Sequence, residues 1–166
     1  KFGMVQAEQS AAADILREGA NVLVYPGGDV EALRPWRQRN KIVFDGRKGF
    51  LRLAHGRGVK IVPVVAVGGQ ETFFVLNDGR KTAKLLRFDK LFRVKTLPIS
   101  LSFPWGLLPG DLPHIPFPAK IRIQVLPPID LRELFGDDPD WDEAYGYVTS
   151  VMQVALSSLA AKTVLP

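Results

Sequence analysis

Val22-Leu23-Val24-Tyr25-Pro26-Gly27-Gly28-Asp29-Val30-Glu31-Ala32-Leu33-Arg34-Pro35 is the stretch around which the chain is organised. Its first four residues are apolar, β-branched or aromatic, and predict a buried strand over Val22–Tyr25. Pro26 has no N–H to give and ends the ladder. Gly27 and Gly28 permit positive φ and a close backbone approach at the strand end. Asp29 suits the N-cap of a short helix, Glu31 suits its first turn, and Pro35 stops it. A strand that delivers a glycine turn at its carboxyl end is where open α/β sheets place ligands. An ordinary strand–turn–helix connector fits the same residues.

Outward from this stretch the chain alternates. Val5–Glu18 predicts a helix with Ala7, Ala11, Ile15 and Leu16 on one stripe and Gly19 as its C′ residue. Arg34, Arg37, Arg39 and Lys41 form a basic cluster that suits either a solvated loop or an anion-facing rim. Arg47–Arg57 predicts a helix with Phe50, Leu51 and Ala54 towards the core. Val59–Val67 predicts a second buried strand, broken or ended near Pro63, before the turn Gly68-Gly69. Strand, helix and strand, each followed by glycine, predict an α/β fold: a mixed, mostly parallel sheet flanked by helices.

Asn77–Lys81 predicts a polar turn. Leu85–Val94 mixes apolar residues with Arg87, Lys90 and Arg93 at helical spacing. It reads as a basic amphipathic helix, either at a membrane surface or packed on the core. Leu97–Pro118 carries six prolines among Phe103, Trp105, Leu107, Leu108, Ile115 and Phe117, and cannot be a regular helix. It suits a lipid-contacting or substrate-covering loop, or an extended arm against the core. Lys120–Leu126 alternates as a strand with one wet face, ended by Pro127-Pro128. Asp140–Lys162 predicts the last helix, with Asp140 as N-cap. No repeat or linker divides the 166 residues, so one domain is expected.

Composition narrows the classes. With 46% hydrophobic and 23% charged residues the chain is globular. The absence of cysteine excludes disulfides, thiolate zinc ligands and thiol catalysis within it. A formal net charge of +5 suits nucleic acid, acidic headgroups or a phosphorylated cofactor. Aromatic residues are not interleaved with basic ones on a strand platform, which disfavours nucleic acid. Glycine-flanked serine, phosphate-loop lysine and dinucleotide-binding motifs are missing, as is a metal-spaced histidine pair. The two histidines, His55 and His114, have no carboxylate at an orienting spacing, so neither reads as a general base.

Three blocks resemble the glycerolipid (lysophospholipid) acyltransferase superfamily, nearest its type-2 diacylglycerol acyltransferase branch. The first is Val22–Leu33, with Pro-Gly-Gly and Glu-Ala-Leu. The second is Gly46-Arg47-Lys48-Gly49-Phe50 with Leu53-Ala54, then Ile61-Val62-Pro63-Val64 and Gly68. The third is Pro104-Trp105-Gly106 through Pro118-Ala119-Lys120-Ile121. Their order and spacing carry the resemblance.

The resemblance implies acyl transfer from acyl-CoA, the donor substrate, to a lipid hydroxyl, with no bound cofactor and no metal. It implies a His-x-x-x-x-Asp motif before the first block, histidine as base and aspartate as its orienter. Five residues after His55 stands Lys60, and five after His114 stands Ala119. The dyad is therefore expected upstream of Lys1, no catalytic residue is expected in this chain, and residues 1–166 are expected to be a single domain lacking its N-terminal part. The expected substrate-binding residues are Pro26, Gly27, Gly28, Asp29, Glu31, Arg34, Arg47 and Lys48. Among these, the Gly27-Gly28 amides suit the reacting carbonyl, and Arg34, Arg47 and Lys48 suit anionic groups.

In the phosphate-using branch the central block reads Pro-Glu-Gly-Thr-Arg. Here it reads Pro26-Gly27-Gly28-Asp29-Val30, which loses the arginine and points to a neutral acceptor: mono- or diacylglycerol or a long-chain alcohol. A lysophospholipid or glycerol-phosphate acyltransferase and a non-catalytic lipid- or CoA-binding relative are the alternatives. The expected setting is cytoplasmic, peripheral at an anionic membrane surface, without nucleic acid. The pattern sets no oligomeric state.

Overall fold

A computed structural model describes residues 8–77, 99–109 and 115–164. Its described elements are α1 (Gln9–Arg17), α2 (Gly28–Ala32), α3 (Gly49–Arg57), β1 (Val64–Val67), β2 (Phe74–Asn77), β3 (Ile99–Ser102), β4 (Gly106–Pro109), β5 (Arg122–Val125), α4 (Leu131–Phe135) and α5 (Trp141–Val164). Two short 3₁₀ turns, Trp36–Gln38 and Gly69–Glu71, join them.

α5 is the spine. Asp140 caps it, accepting hydrogen bonds from the amides of Asp142 at 2.8 Å and Glu143 at 3.4 Å. Its 24 residues span roughly 36 Å at 1.5 Å per residue, long enough to serve two core clusters. Near its start, Ala144 and Val148 pack with Leu51 and Ala54 of α3, Ile129 and Leu131. Further along, Ala155, Leu156 and Ala160 pack under Val65 and Val67 of β1 and Leu126. Alanine at three of these contacts lets the helix lie close to its neighbours.

α1 ends as expected. Gly19 takes φ 80°, and the amides of Gly19 and Ala20 return to Leu16 and Ile15 at 3.1 and 3.2 Å. α3 ends in the same way at Gly58, and buries Leu51 and Ala54. α4 has no counterpart in the sequence reading. Asp130 caps it by accepting from Arg132 and Glu133, and the Asp-x-x-Glu spacing of Asp130 and Glu133 was its signal.

The sheets differ from expectation. β1 pairs antiparallel with β5, Val64 opposite Val125 and Val67 opposite Arg122. β2, β3 and β4 form a separate antiparallel meander. The parallel sheet predicted from alternating strand and helix signals is thus not what these strands form. The partner of β1 lies more than 50 positions later in the chain, and local periodicity carries no record of that pairing. The Val59–Val67 run shortens to Val64–Val67 because Pro63 interrupts the ladder. On its far side a single bridge joins Ile61 to Ile129, with bonds of 2.9 and 2.7 Å.

Val22–Tyr25 lies in no ladder of the described residues, and Leu23 and Tyr25 are each 75% exposed. Its composition gives strand propensity, but a strand also needs a second segment about 4.8 Å away to pair with. One face of the β1–β5 ribbon is likewise apolar and exposed, with Val64, Ile123 and Val125 on it. The segment expected to be irregular over Leu97–Pro118 contains the β3–β4 hairpin. Ile99-Ser100-Leu101-Ser102 alternates with period two, which was the sequence signal for it. The expected basic helix Leu85–Val94, most of the Asn77–Lys81 turn, and His114 lie outside the described residues.

Candidate functional site

The Pro-Gly-Gly stretch folds as a tight turn whose polar groups close on one another. The Gly28 amide donates to the Tyr25 carbonyl at 3.2 Å, with Pro26 at the second turn position, where its fixed φ fits. The Gly27 carbonyl then accepts the first bond of α2 from the Glu31 amide at 3.4 Å. The helix starts at Gly28, which places Asp29 inside its first turn and leaves the cap position to Gly27.

The two glycines are required for different reasons. Gly28 takes φ 53° and lies beneath the Arg47 guanidinium, 2.7 Å from where a Cβ would stand. Gly27 is not among the positive-φ residues. Instead it is buried, and a Cβ there would collide with the Glu31 side chain and the Val43 carbonyl. The turn is therefore threaded between α2 and the passage through Val43.

Glu31 and Arg34 form the buried charged pair of this region. Arg34 is 9% exposed. It donates to Glu31 Oε1 at 3.1 Å through one nitrogen and to the Arg39 carbonyl at 2.9 Å through another. Its Nε is buried without a partner among the described residues. Burial raises the Glu31 carboxyl above its ordinary range, opposed by the Arg34 charge and by hydrogen bonds from Arg34 and the Gly27 backbone.

Arg47 covers the turn from the other side, donating to the Pro26 and Gly27 carbonyls at 3.3 and 3.2 Å. Gln70, in the turn that follows β1, donates to the Ala32 carbonyl at 3.1 Å and ties the end of α2 to β1. Lys48 turns away and pairs with Asp142 at 2.6 Å, at the start of α5.

Of the residues singled out in sequence, Pro26, Gly27, Gly28, Glu31, Arg34 and Arg47 thus come together, and Lys48 does not join them. The Gly28 amide is engaged internally, with the Tyr25 carbonyl at 3.2 Å. Gln70 and Val43 were missed, and Arg39, which the sequence reading placed only in a basic cluster, contributes its carbonyl. Gln70 follows the second glycine turn, the one local hint of its role; Val43 and Arg39 act through backbone carbonyls, which no side-chain signal reveals. His55 is engaged with the Gly136 carbonyl at 2.8 Å and meets the Trp141 ring edge-on. A shallow open groove of about 410 Å³ between α1 and α3, lined by Gln9, Ser10, Arg52 and Arg57, shares no residue with the turn.

The glycine turn is thus held between a buried Glu–Arg pair and an arginine over its carbonyls. Family comparison makes the assignment: residues 1–145 match the family model described as diacylglycerol acyltransferase, and the chain belongs to that family. It is 29% identical over 131 residues to diacylglycerol O-acyltransferase 1 of Eremothecium gossypii, covering 77% of this chain and 28% of that protein. It is 28% identical over 143 residues to diacylglycerol O-acyltransferase 1 of Saccharomyces cerevisiae, covering 84% and 34%. An uncharacterized protein of Mycobacterium leprae is 31% identical over 140 residues, covering 84% and 36%. The chain therefore spans about a third of the length of these relatives. No solved structure matches it. Among the described residues no helix is long and apolar enough to cross a membrane.

Proposed function

We propose that the protein is an O-acyltransferase that moves an acyl group from acyl-CoA to the hydroxyl of a neutral lipid acceptor, such as a mono- or diacylglycerol or a long-chain alcohol. In this reaction the acceptor oxygen attacks the thioester carbonyl, a base takes its proton, and the CoA thiolate leaves. His55 is held by Gly136 and Trp141 rather than by a carboxylate. The reading assigns the base to a His-x-x-x-x-Asp element, which this sequence does not contain. Family membership supports the reaction class. The names of the Eremothecium gossypii and Saccharomyces cerevisiae relatives support diacylglycerol as the acceptor.

One observation carries the choice of a neutral acceptor. Arg34 is the cation of this block that stands nearest to replacing the missing phosphate clamp. It is buried, and its terminal nitrogens are given to Glu31 and to the Arg39 carbonyl. A bidentate grip on phosphate needs those same donors. The negative Glu31 beside it further disfavours a phosphate dianion.

The test is acyl transfer by the full-length enzyme with acyl-CoA and, in parallel, diacylglycerol, a long-chain alcohol, lysophosphatidic acid and glycerol 3-phosphate. Preference for the uncharged acceptors is expected. A preference for a phosphorylated acceptor that Arg34→Ala removes would overturn the reading.

A further inference from the structure

The β2–β3–β4 meander plays no part in the site above, and its two faces differ sharply. On one face Val75 and its cross-strand neighbour Ser100 are each 1% exposed. On the other, the register row Phe74–Leu101–Leu107 runs across all three strands. The hairpin tip continues this apolar character. Phe103 is 55% exposed and Trp105 59%, and Ile115, bridged to Phe103 by a 3.0 Å backbone bond, is 58% exposed. β3 and β4 pair from Ile99–Pro109 to Ser102–Gly106, so the hairpin satisfies the inward backbone groups of both strands by itself. Phe74 also packs on Trp36 at 4.5 Å. Arg39 stacks over that indole at 4.3 Å, and the exposed Arg37 is the next residue along.

We propose that the β3–β4 hairpin is a membrane-contact element that seats Phe103 and Trp105 in the interfacial layer of a bilayer bearing anionic headgroups. Aromatic rings at a hairpin tip match the preference of such rings for the boundary between headgroups and acyl chains. The arginines beside the apolar row complement anionic headgroups and repel a second copy of the same face. The choice of lipid as occupant also rests on the acyl-transfer reading, whose acceptor is a lipid. Contact here would bring the enzyme to the surface where that acceptor resides.

The chain lacks cysteine, so a single introduced thiol reports one place. An environment-sensitive nitrobenzoxadiazole label is attached at Leu107→Cys in the full-length enzyme, with any cysteine outside residues 1–166 replaced by serine, and in the same way at Ile123→Cys on the separate β1–β5 ribbon. Each is mixed with phosphatidylcholine vesicles, with and without phosphatidylserine, that contain no diacylglycerol. The label at position 107 is expected to brighten and to become shielded from dithionite, more so with phosphatidylserine and less so with added salt. The label at position 123 is expected to do neither. Partitioning is expected to fall about tenfold for each of Phe103→Ser and Trp105→Ser, since roughly half of each side chain remains to be buried. Phe103→Leu and Trp105→Phe are expected to retain most of it, which separates lost contact from lost folding.

A label at position 107 that stays accessible on vesicles would overturn the proposal, as would partitioning unchanged by both serine substitutions. So would brightening without vesicles that rises with protein concentration, which would instead identify a second copy as the occupant. Vesicle contact is read without turnover, and turnover is read with detergent-dispersed acceptor. Failure of the hairpin proposal is therefore distinguishable from failure of the acyltransferase assignment.

Discussion

Replacing Arg34 with alanine is expected to destabilise the fold by about 3–4 kcal/mol. Arg34 makes two charge-assisted hydrogen bonds, to Glu31 at 3.1 Å and to the Arg39 carbonyl at 2.9 Å. Hydrogen bonds to charged groups contribute about 1.5–3 kcal/mol each. The Glu31 side chain is 23% exposed, so water can partly replace its bond and the lower half of the summed range applies. The result agrees with the roughly 3–5 kcal/mol seen when one partner of a buried ion pair is removed. In a domain of this size it lowers the melting temperature by about 10 °C. The assay is urea unfolding followed by circular dichroism, on Arg34→Ala, Glu31→Gln and the double variant. Because the two residues share one bond, the double variant should be about 1–2 kcal/mol more stable than additivity predicts. An Arg34→Ala variant within about 1 kcal/mol of the parent, or strict additivity in the cycle, would refute the idea that Arg34 is a structural partner of Glu31.

Three further outcomes follow from the same geometry. Gly27→Ala and Gly68→Ala should each destabilise by more than about 2 kcal/mol and lower soluble yield, because a Cβ at either position collides with backbone, that of Val43 or of Lys120; near-parental melting curves would show that these passages can widen. Glu31 has its carboxyl raised by burial, so its contribution to stability is fully present below about pH 4.5 and is lost as pH rises through the raised native value. Glu31→Gln should therefore remove a falling component from the stability–pH curve above pH 4.5, and identical slopes in the two proteins would contradict that shift. Lys48→Ala should cost less than about 1 kcal/mol, because its partner Asp142 is 85% exposed; a larger loss in thermal unfolding would mean that Lys48 does more than pair with Asp142.

Local chemistry determined much of this protein without reference to its tertiary structure. Gly19 and Gly58 end α1 and α3 because helices close readily on a left-handed residue, and glycine adopts that conformation without steric cost. Asp140 caps α5 through its own side chain, two and three residues away. The three family blocks were legible in the order and spacing of residues such as Pro26-Gly27-Gly28 and Arg47-Lys48-Gly49-Phe50. Each of these features is short-range, so a single stretch of chain contains both partners.

The remaining features needed the tertiary structure because their partners are distant in sequence. Val64–Val67 read equally well as a parallel strand until Arg122–Val125 was placed antiparallel beside it. Val22–Tyr25 has strand composition but no ladder partner among the described residues. Arg34 and Lys48 both read as anion-binding cations, since a sequence shows a charge but not its counter-charge. Packing gave Arg34 to Glu31 and the Arg39 carbonyl, and gave Lys48 to Asp142, 94 positions away. Gly27 shows the limit most plainly. The sequence marked it as a turn glycine, but it is needed because the Val43 carbonyl passes where a side chain would stand. Propensity and capping act over a few residues and are written locally, whereas pairing, charge neutralisation and steric exclusion are decided only when distant segments meet.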